Sequence, residues 1–437
     1  MYEAARINAV VELVNSFQDT WKTSKPLPTD VIINKYFKQR RYVGSKDRGA
    51  IAEIAYFVIR NYSKLDWYAN LCKQQSTARI IVIAALLLHY KKKLPDIHNF
   101  FNGEKFFPAK LSESEGKAAK QLENQDIIND LMPDHIKYDY PQWLEQQLKD
   151  SLGENWQDEL LALNKEATVD LRANTLLTTR DELLEKLRAE NYEVEPTPFS
   201  PIGIRMQTRS PIFTSSYFKQ GFFEMQDEGS QLVSLLLDAK SGEKVIDFCA
   251  GAGGKTLAIA ASMKNKGRIL AWDNSAHRLD QMADRLKRAR VDNVQKRVIE
   301  SENDDFLKRH KGSADKVIVD APCSGSGTWR RNPDLKWHFK AENLANIMDT
   351  QERILESAAR LVKVGGKLLY ITCSILQSEN ESQVEAFLEK NKNFRVATSD
   401  ELCFNIPAHA IIREGMFKFT PYRTGTDGFF ASLLQRF

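Results

Sequence analysis

Val245-Ile246-Asp247-Phe248-Cys249-Ala250-Gly251-Ala252-Gly253-Gly254-Lys255-Thr256 reads as a short buried strand that runs into a glycine turn and then a helix. Glycines let the backbone turn tightly and approach a ligand, and the helix that follows presents free N–H groups. Three more segments of the same buried type come later: Arg268–Trp272, Lys316–Asp320 and Gly366–Ile371. Helical patterns lie between them, for example over 276–289 and 343–362. This alternation predicts an α/β fold, a doubly wound and mainly parallel sheet with helices on both faces. Ligands of such sheets sit at the carboxyl ends of the strands, so chemistry is expected just after each one.

Several ligand classes compete for the first turn. A P-loop needs glycine where Cys249 stands, and a nicotinamide fingerprint needs glycine where Thr256 stands. A third reading has a carboxylate and the glycine turn hold the methionine part of S-adenosylmethionine. The bland alternative is a plain turn in an α/β core. The second strand ends in Trp272-Asp273, and a carboxylate there can accept both ribose hydroxyls. That suits a dinucleotide and S-adenosylmethionine equally.

The third strand ends in Asp320-Ala321-Pro322-Cys323-Ser324-Gly325-Ser326-Gly327 and the fourth in Tyr370-Ile371-Thr372-Cys373-Ser374. A lone cysteine is usually a small buried hydrophobe. Two of them at the ligand ends of such strands, beside a carboxylate, suggest chemistry. Carbon-5 of cytosine is a poor nucleophile toward a methyl sulfonium. A thiolate added to carbon-6 makes carbon-5 enamine-like, and loss of the carbon-5 proton later expels the thiol. A nearby cation or helix N-terminus would help populate the thiolate, since a free thiol has a pKa of ~8.5. Asp320 is placed to assist addition at cytosine N3.

Taken together, these segments resemble the Sun/Nop-type family of RNA cytosine carbon-5 methyltransferases. The resemblance is carried by 247–256, by 320–327 with Arg330-Arg331-Asn332-Pro333-Asp334-Leu335-Lys336-Trp337, by Thr372-Cys373-Ser374, and by Gly425-Thr426-Asp427-Gly428-Phe429-Phe430. Gln226–Gln231 and Leu171-Arg172-Ala173-Asn174 also look like family elements, so it spans the chain from about 141 to the end. The resemblance implies that Cys373 is the nucleophile and that Cys323 assists product release. It implies that Cys249, Ala250, Gly251, Ala252, Gly253, Gly254, Lys255, Asp273 and Asp320 hold S-adenosylmethionine, with Lys255 also steadying Asp320. Arg330, Arg331 and Lys336 are expected beside the active-site loop, gripping RNA. Ala252 stands where the family usually has proline, which should loosen the turn. For the adenine end, Glu300 and Glu302 are both candidates.

Working outward, the first 130 residues read as helices, with apolar spacing over 4–17 and 50–59 and an almost wholly apolar segment over 77–89. Residues 110–130 read as a charged connector with little to pack. The stretch Tyr36–Arg48, rich in Lys and Arg, resembles the NusB-like RNA-binding domain of the bacterial RsmB-type enzymes of 16S ribosomal RNA. By that resemblance Arg40 and Arg41, with Lys38, Lys46 and Arg48, would contact phosphates. Three domains are expected: a NusB-like all-helical domain over 1–130, a small α+β RNA-binding or cap domain over 138–225, and the catalytic domain over 226–437.

Bulk composition agrees with an ordinary globular protein. The 437 residues are 42% hydrophobic and 27% charged, with a formal net charge of only +4, so any nucleic-acid binding must come from local patches. Cysteines at 72, 249, 323, 373 and 403 form no close-spaced pairs and do not cluster with the seven histidines. Neither a disulfide framework nor a metal site is expected. The longest apolar run falls far short of the ~20 residues that span a bilayer, and the N-terminus lacks a signal-peptide pattern. The expectation is a cytoplasmic monomer whose partner is RNA, most naturally 16S ribosomal RNA. The same chemistry on tRNA, or a non-catalytic ribosome assembly factor, are the alternatives; a nicotinamide oxidoreductase is a remote one.

Overall fold

The structure, a computed structural model, describes residues 1–23, 26–398, 406–413 and 415–437. Cys403 lies outside the described residues. The chain forms two compact units, one of residues 1–146 with 329–339 and one of residues 147–328 with 340–437. The first unit thus extends past residue 130 and takes in a strap from within the stretch read as catalytic.

The first unit is helical. Ala78–Leu88 is its central helix, buried from Ala78 and from Ile80 through Leu88, because its sequence offers no polar face to water. Glu3–Trp21, Ser45–Arg60 and Tyr62–Leu71 pack around it. The 110–130 stretch is not a bare connector. It contains the helix Glu113–Leu122, started by a capping box in which Ser112 and Glu115 satisfy each other's amides. Ala118, Ala119 and Leu122 are its buried face, and small side chains let it dock without an obvious apolar stripe.

The second unit carries two sheets. Strands β1 (Val169–Ala173), β2 (Val194–Pro196), β3 (Gly203–Met206) and β4 (Phe223–Met225) form a small antiparallel sheet in the order β2-β3-β1-β4. Helix Arg180–Ala189 covers it through Leu183, Leu184 and Leu187.

The large sheet contains β5 (Lys244–Asp247), β6 (Arg268–Asp273), β7 (Val294–Val298), β8 (Ala314–Asp320), β9 (Val362–Thr372), β10 (Phe394–Val396), β11 (Ile411–Arg413), β12 (Met416–Phe419) and β13 (Phe429–Arg436). Its order is β11-β12-β13-β9-β8-β5-β6-β7, with β10 also on β13. Strands β7, β6, β5, β8 and β9 run parallel, and β13 pairs antiparallel with β9. Side chains alternate between two cores: Val245, Ile318, Leu369 and Ile371 face one, and Ile246, Val317, Val319, Leu368 and Tyr370 the other. Both faces are covered by helices, which is why the parallel strands read as unbroken apolar runs. The chain leaves β5 in one direction and returns at β8 on its other side. That reversal opens a crevice at the carboxyl ends of β5 and β8.

Candidate active site

The crevice is floored by the turn after β5. Gly251 and Gly253 have φ of +53° and +83°, which L-residues with side chains rarely adopt. A Cβ on Gly253 would also lie 2.5 Å from Cγ of Met282. The Gly251 amide donates to Asp273 Oδ2 at 2.8 Å and the Ser275 amide to Oδ1 at 2.8 Å, fixing the carboxylate at the end of β6. The turn is held from behind as well. Arg172 donates to the Gly254 carbonyl at 2.7 Å and to Gln226, and Arg285 donates to the Ala252 carbonyl at 2.7 Å. The loosening expected from Ala252 is therefore countered by Arg285, itself paired with Glu224 at 3.0 Å.

A cleft of about 670 Å³ opens above this turn, lined among others by Asp247, Asp273, Glu300, Asp320, Cys323 and Cys373. Asp247 Oδ2 accepts the Thr256 hydroxyl at 2.6 Å, but Oδ1 is buried without a hydrogen-bond partner. Burial pushes this carboxyl up to about 7. Such an orphaned oxygen at a ligand cleft calls for a donor or cation from outside the chain. Burial, with Asp247, Asp320 and Asp273 nearby, pushes the Cys249 thiol well up. Glu302 is committed to Arg353 at 2.6 Å, whereas Glu300 is exposed at the cleft.

Cys323 and Cys373 both line the cleft, their sulfurs 3.3 Å apart. The hydrogen bond with Cys373, then burial, pushes the Cys323 thiol well up, so Cys323 holds its proton. Lys255 Nζ lies 2.6 Å from Asp320 Oδ2 and 5.4 Å from the centre of the Phe429 ring. The terminal motif reaches the same place: Gly327 donates to the Cys373 carbonyl at 2.9 Å, and Gly428 to the Gly327 carbonyl at 2.7 Å. The structure thus brings together Cys323, Cys373, Asp320, Lys255, Asp273 and the glycine turn. Sequence reasoning did not single out Asp247 for its orphaned oxygen, gave Arg172 no task beyond its place in a family element, and passed over Arg285 and the buried Glu379.

The expected RNA contacts divide. Arg330 and Lys336 are buried within the helical unit, 5% and 2% exposed, and are not surface cations. The Arg60 side chain donates to the Arg330 carbonyl at 3.0 Å and Trp337 Nε1 to the Ile59 carbonyl at 2.8 Å, so the strap is sewn to the helix 45–60. Burial lowers the Lys336 ammonium to about 7. Arg331 is half-buried on the same strap. In the stretch 36–48, Arg40 pairs with Glu12 at 3.0 Å and lies 3.9 Å from the Tyr36 ring, and Arg48 donates to the Val43 carbonyl at 2.8 Å. Arg41, Lys38 and Lys46 are exposed. Among the described residues no helix is long and apolar enough to cross a membrane, and no group of three His, Cys, Asp or Glu could hold a metal ion.

Residues 234–435 match the model of the 16S rRNA methyltransferase RsmB/F family, and residues 140–213 that of the ferredoxin-like domain of RsmF/B-like methyltransferases. The chain is 29% identical over 420 residues to the probable ribosomal RNA small subunit methyltransferase B of Bacillus subtilis (strain 168), covering 90% of this chain and 92% of that one. It is similar to the crystal structure of PH0851 with a TM-score of 0.80 at 26% identity, over 100% of this chain and 99% of that one. A methyltransferase homolog protein from Pyrococcus horikoshii gives 0.59 at 26% identity, over 70% of this chain and 98% of that one. The large sheet with its crevice is the fold of S-adenosylmethionine-dependent methyltransferases. Matched by two models over residues 140–213 and 234–435 and by a relative nearly end to end, the chain is similar to the RsmB/F methyltransferases along most of its length.

Proposed function

We propose that this chain methylates carbon-5 of a cytosine in RNA, with S-adenosylmethionine as methyl donor and 16S ribosomal RNA in the cytoplasm as target. The observation that carries the reading is the pair of sulfurs 3.3 Å apart in the glycine-turn cleft, which the Asp320–Lys255 ion pair also lines. The printed names of the B. subtilis relative and of the matching family support ribosomal RNA as the substrate.

The residues of the cleft fit S-adenosylmethionine. The unpartnered Asp247 oxygen suits an ammonium group, the positive-φ turn from Cys249 through Lys255 suits close approach of the methionine part, and Asp273 suits ribose hydroxyls. Glu300, free of the ion pair that occupies Glu302, suits the adenine end. When bound, the cofactor supplies an electrophilic methyl group.

In this scheme Cys373, as thiolate, forms a bond to carbon-6, and carbon-5 becomes nucleophilic. Asp320 assists at N3, and Lys255 keeps its carboxylate in place. After methylation solvent water takes the carbon-5 proton, the electron pair of that bond re-forms the carbon-5–carbon-6 double bond, and the sulfur–carbon-6 bond breaks with its pair staying on Cys373, which restores the ring and frees the thiolate. Cys323 assists this release at hydrogen-bond distance from the departing sulfur. The exposed Arg41, Lys38 and Lys46 hold RNA phosphates, and the target base is taken from an unpaired or flipped position.

The test uses S-adenosylmethionine tritiated in its methyl group and total RNA from cells lacking the enzyme, with wild type, Cys373→Ala and Cys323→Ala. Transfer is expected into 16S RNA or its precursor particles, none in Cys373→Ala, and a trapped protein–RNA adduct in Cys323→Ala. Carbon-5 methylation by Cys373→Ala would overturn the assignment, and label in tRNA alone would overturn the substrate.

A further inference from the structure

Beneath the two thiols lies a fully buried carboxylate that the scheme above leaves unused. Glu379 closes the short turn Gln377–Glu379 between β9 and the helix Glu381–Lys390, and none of it is exposed. Its Oε1 accepts the Ser324 amide at 2.8 Å and the Gln351 amide nitrogen at 3.0 Å. Its Oε2 accepts the Ser324 hydroxyl at 2.5 Å and the Ser374 hydroxyl. Ser324 follows Cys323, and Ser374 follows Cys373. One side chain therefore grips both cysteine loops at the residue next to each sulfur.

The neighbours extend the grip. Ser326 Oγ stands 3.0 Å from both Ser324 Oγ and Ser374 Oγ. Asn380 accepts the Thr372 hydroxyl at 2.5 Å and donates to the Ser374 carbonyl at 2.9 Å, so the residues on both sides of Cys373 are fixed. A carboxylate this deeply buried is costly unless its oxygens are satisfied, and here every donor but Gln351 comes from a cysteine loop.

We propose that Glu379 is the positioning residue of the active site, spanning Ser324 and Ser374 so as to set the separation of Cys323 and Cys373. The inference rests on the reading that these thiols are the reactive pair, yet its test does not depend on methyl transfer. What matters is reach rather than charge. Glutamine has the same length, its oxygen can accept the two N–H donors, and its NH₂ can donate to the serine hydroxyls, which accept as readily as they donate. Aspartate keeps the charge but is one methylene too short to reach both serines.

The separation can be read by diamide, which joins the two thiols in one S–S bond and takes up their two hydrogens as it becomes the hydrazine. Wild type and Glu379→Gln are expected to form the Cys323–Cys373 disulfide, mapped by mass spectrometry, at rates within about threefold of each other, whereas Glu379→Asp slows by at least about tenfold because small misplacements are expensive. Methyl transfer to 16S RNA should follow the same order in kcat, with KM for RNA unchanged. Ser374→Ala, which removes one tether and keeps the carboxylate, should slow the disulfide by about tenfold, outside the spread between wild type and the glutamine variant, even if the aspartate variant folds poorly. Disulfide formation at the wild-type rate in Glu379→Asp or Ser374→Ala would overturn the proposal. Cys373→Ser run in parallel separates the two claims, since methyl transfer by that variant sinks the catalytic reading while the diamide rates still judge the positioning role.

Discussion

Gly327 and Gly428 meet backbone to backbone: the Gly428 amide donates to the Gly327 carbonyl at 2.7 Å, and a Cβ on Gly327 would fall 2.2 Å from the Gly428 carbonyl oxygen. Through this contact the C-terminal strand braces the loop that carries Cys323. Gly327→Ala must push the two segments apart, and overpacking of this kind costs about 1–3 kcal/mol. Thermal melts should show the loss, and methyl transfer should fall further than stability because Gly327 also holds the Cys373 carbonyl. A variant that melts and methylates like wild type would show that the segments part freely.

Asp247 makes the cleft sensitive to pH. Its carboxyl is raised to about 7 in the folded chain, against ~3.9 when unfolded. The native state therefore holds a proton that the unfolded state has released, and the stability this proton contributes is lost as pH rises between those values. Asp247→Asn cannot ionise, so its melting temperature should gain on wild type between about pH 5 and about pH 8. An ammonium ligand needs the ionised form. Calorimetric affinity for S-adenosylhomocysteine should therefore climb with pH up to about 7 in wild type and stay flat in Asp247→Asn. Parallel curves for the two proteins would refute the role.

Arg172 reaches from the small sheet to the back of the glycine turn. A hydrogen bond from a charged donor is worth about 1.5–3 kcal/mol. Arg172→Ala should therefore weaken S-adenosylhomocysteine binding by about tenfold or more, read by the same calorimetry. Arg285→Ala, which frees the Ala252 carbonyl, should do the same. Unchanged affinity in both would mean that the turn holds its shape alone.

Cations at the surface and cations in the interior should separate cleanly. Arg41→Ala and Lys46→Ala should each lower the salt slope of RNA binding by about one. Lys336→Met should leave that slope alone and raise the melting temperature instead. Its ammonium is depressed to about 7 by burial, so the cost of burying the charge is full below that pH and shrinks as pH rises toward the unfolded value of ~10.4. The gain in melting temperature should accordingly be larger at about pH 6 than at about pH 9. A loss of salt slope in Lys336→Met would return this residue to the RNA surface.

The parallel strands were legible because burial on both faces leaves continuous apolar runs such as Val317-Ile318-Val319, and the turn after β5 because its glycines stand directly after one. Helix 276–289 was legible to the residue as the helical pattern between two buried strands, and the structure adds the Ser275 cap at its start. The helix 113–122 was not, since its buried face rests on two alanines and a single leucine; the Ser112–Glu115 capping pattern was the available signal. Cations alone do not tell a surface from an interior, so Arg330 and Lys336 read as RNA contacts although Trp329 and Trp337 flank them. Glu379 sits in the polar run Gln377–Glu381, and only the meeting of two distant loops gives it a task.

The strap has a consequence for how this protein can be taken apart. Residues 329–339 belong to the helical unit, yet the chain enters and leaves them from the other unit. A single cut after residue 146 is therefore not a clean excision. It would strip buried Trp329, Arg330 and Lys336 of the helices they are folded into and leave that greasy, charged ribbon hanging within the methylating half. The two halves are not interchangeable modules: any chimera that swaps the helical unit must carry the matching strap with it, as a lock travels with its key.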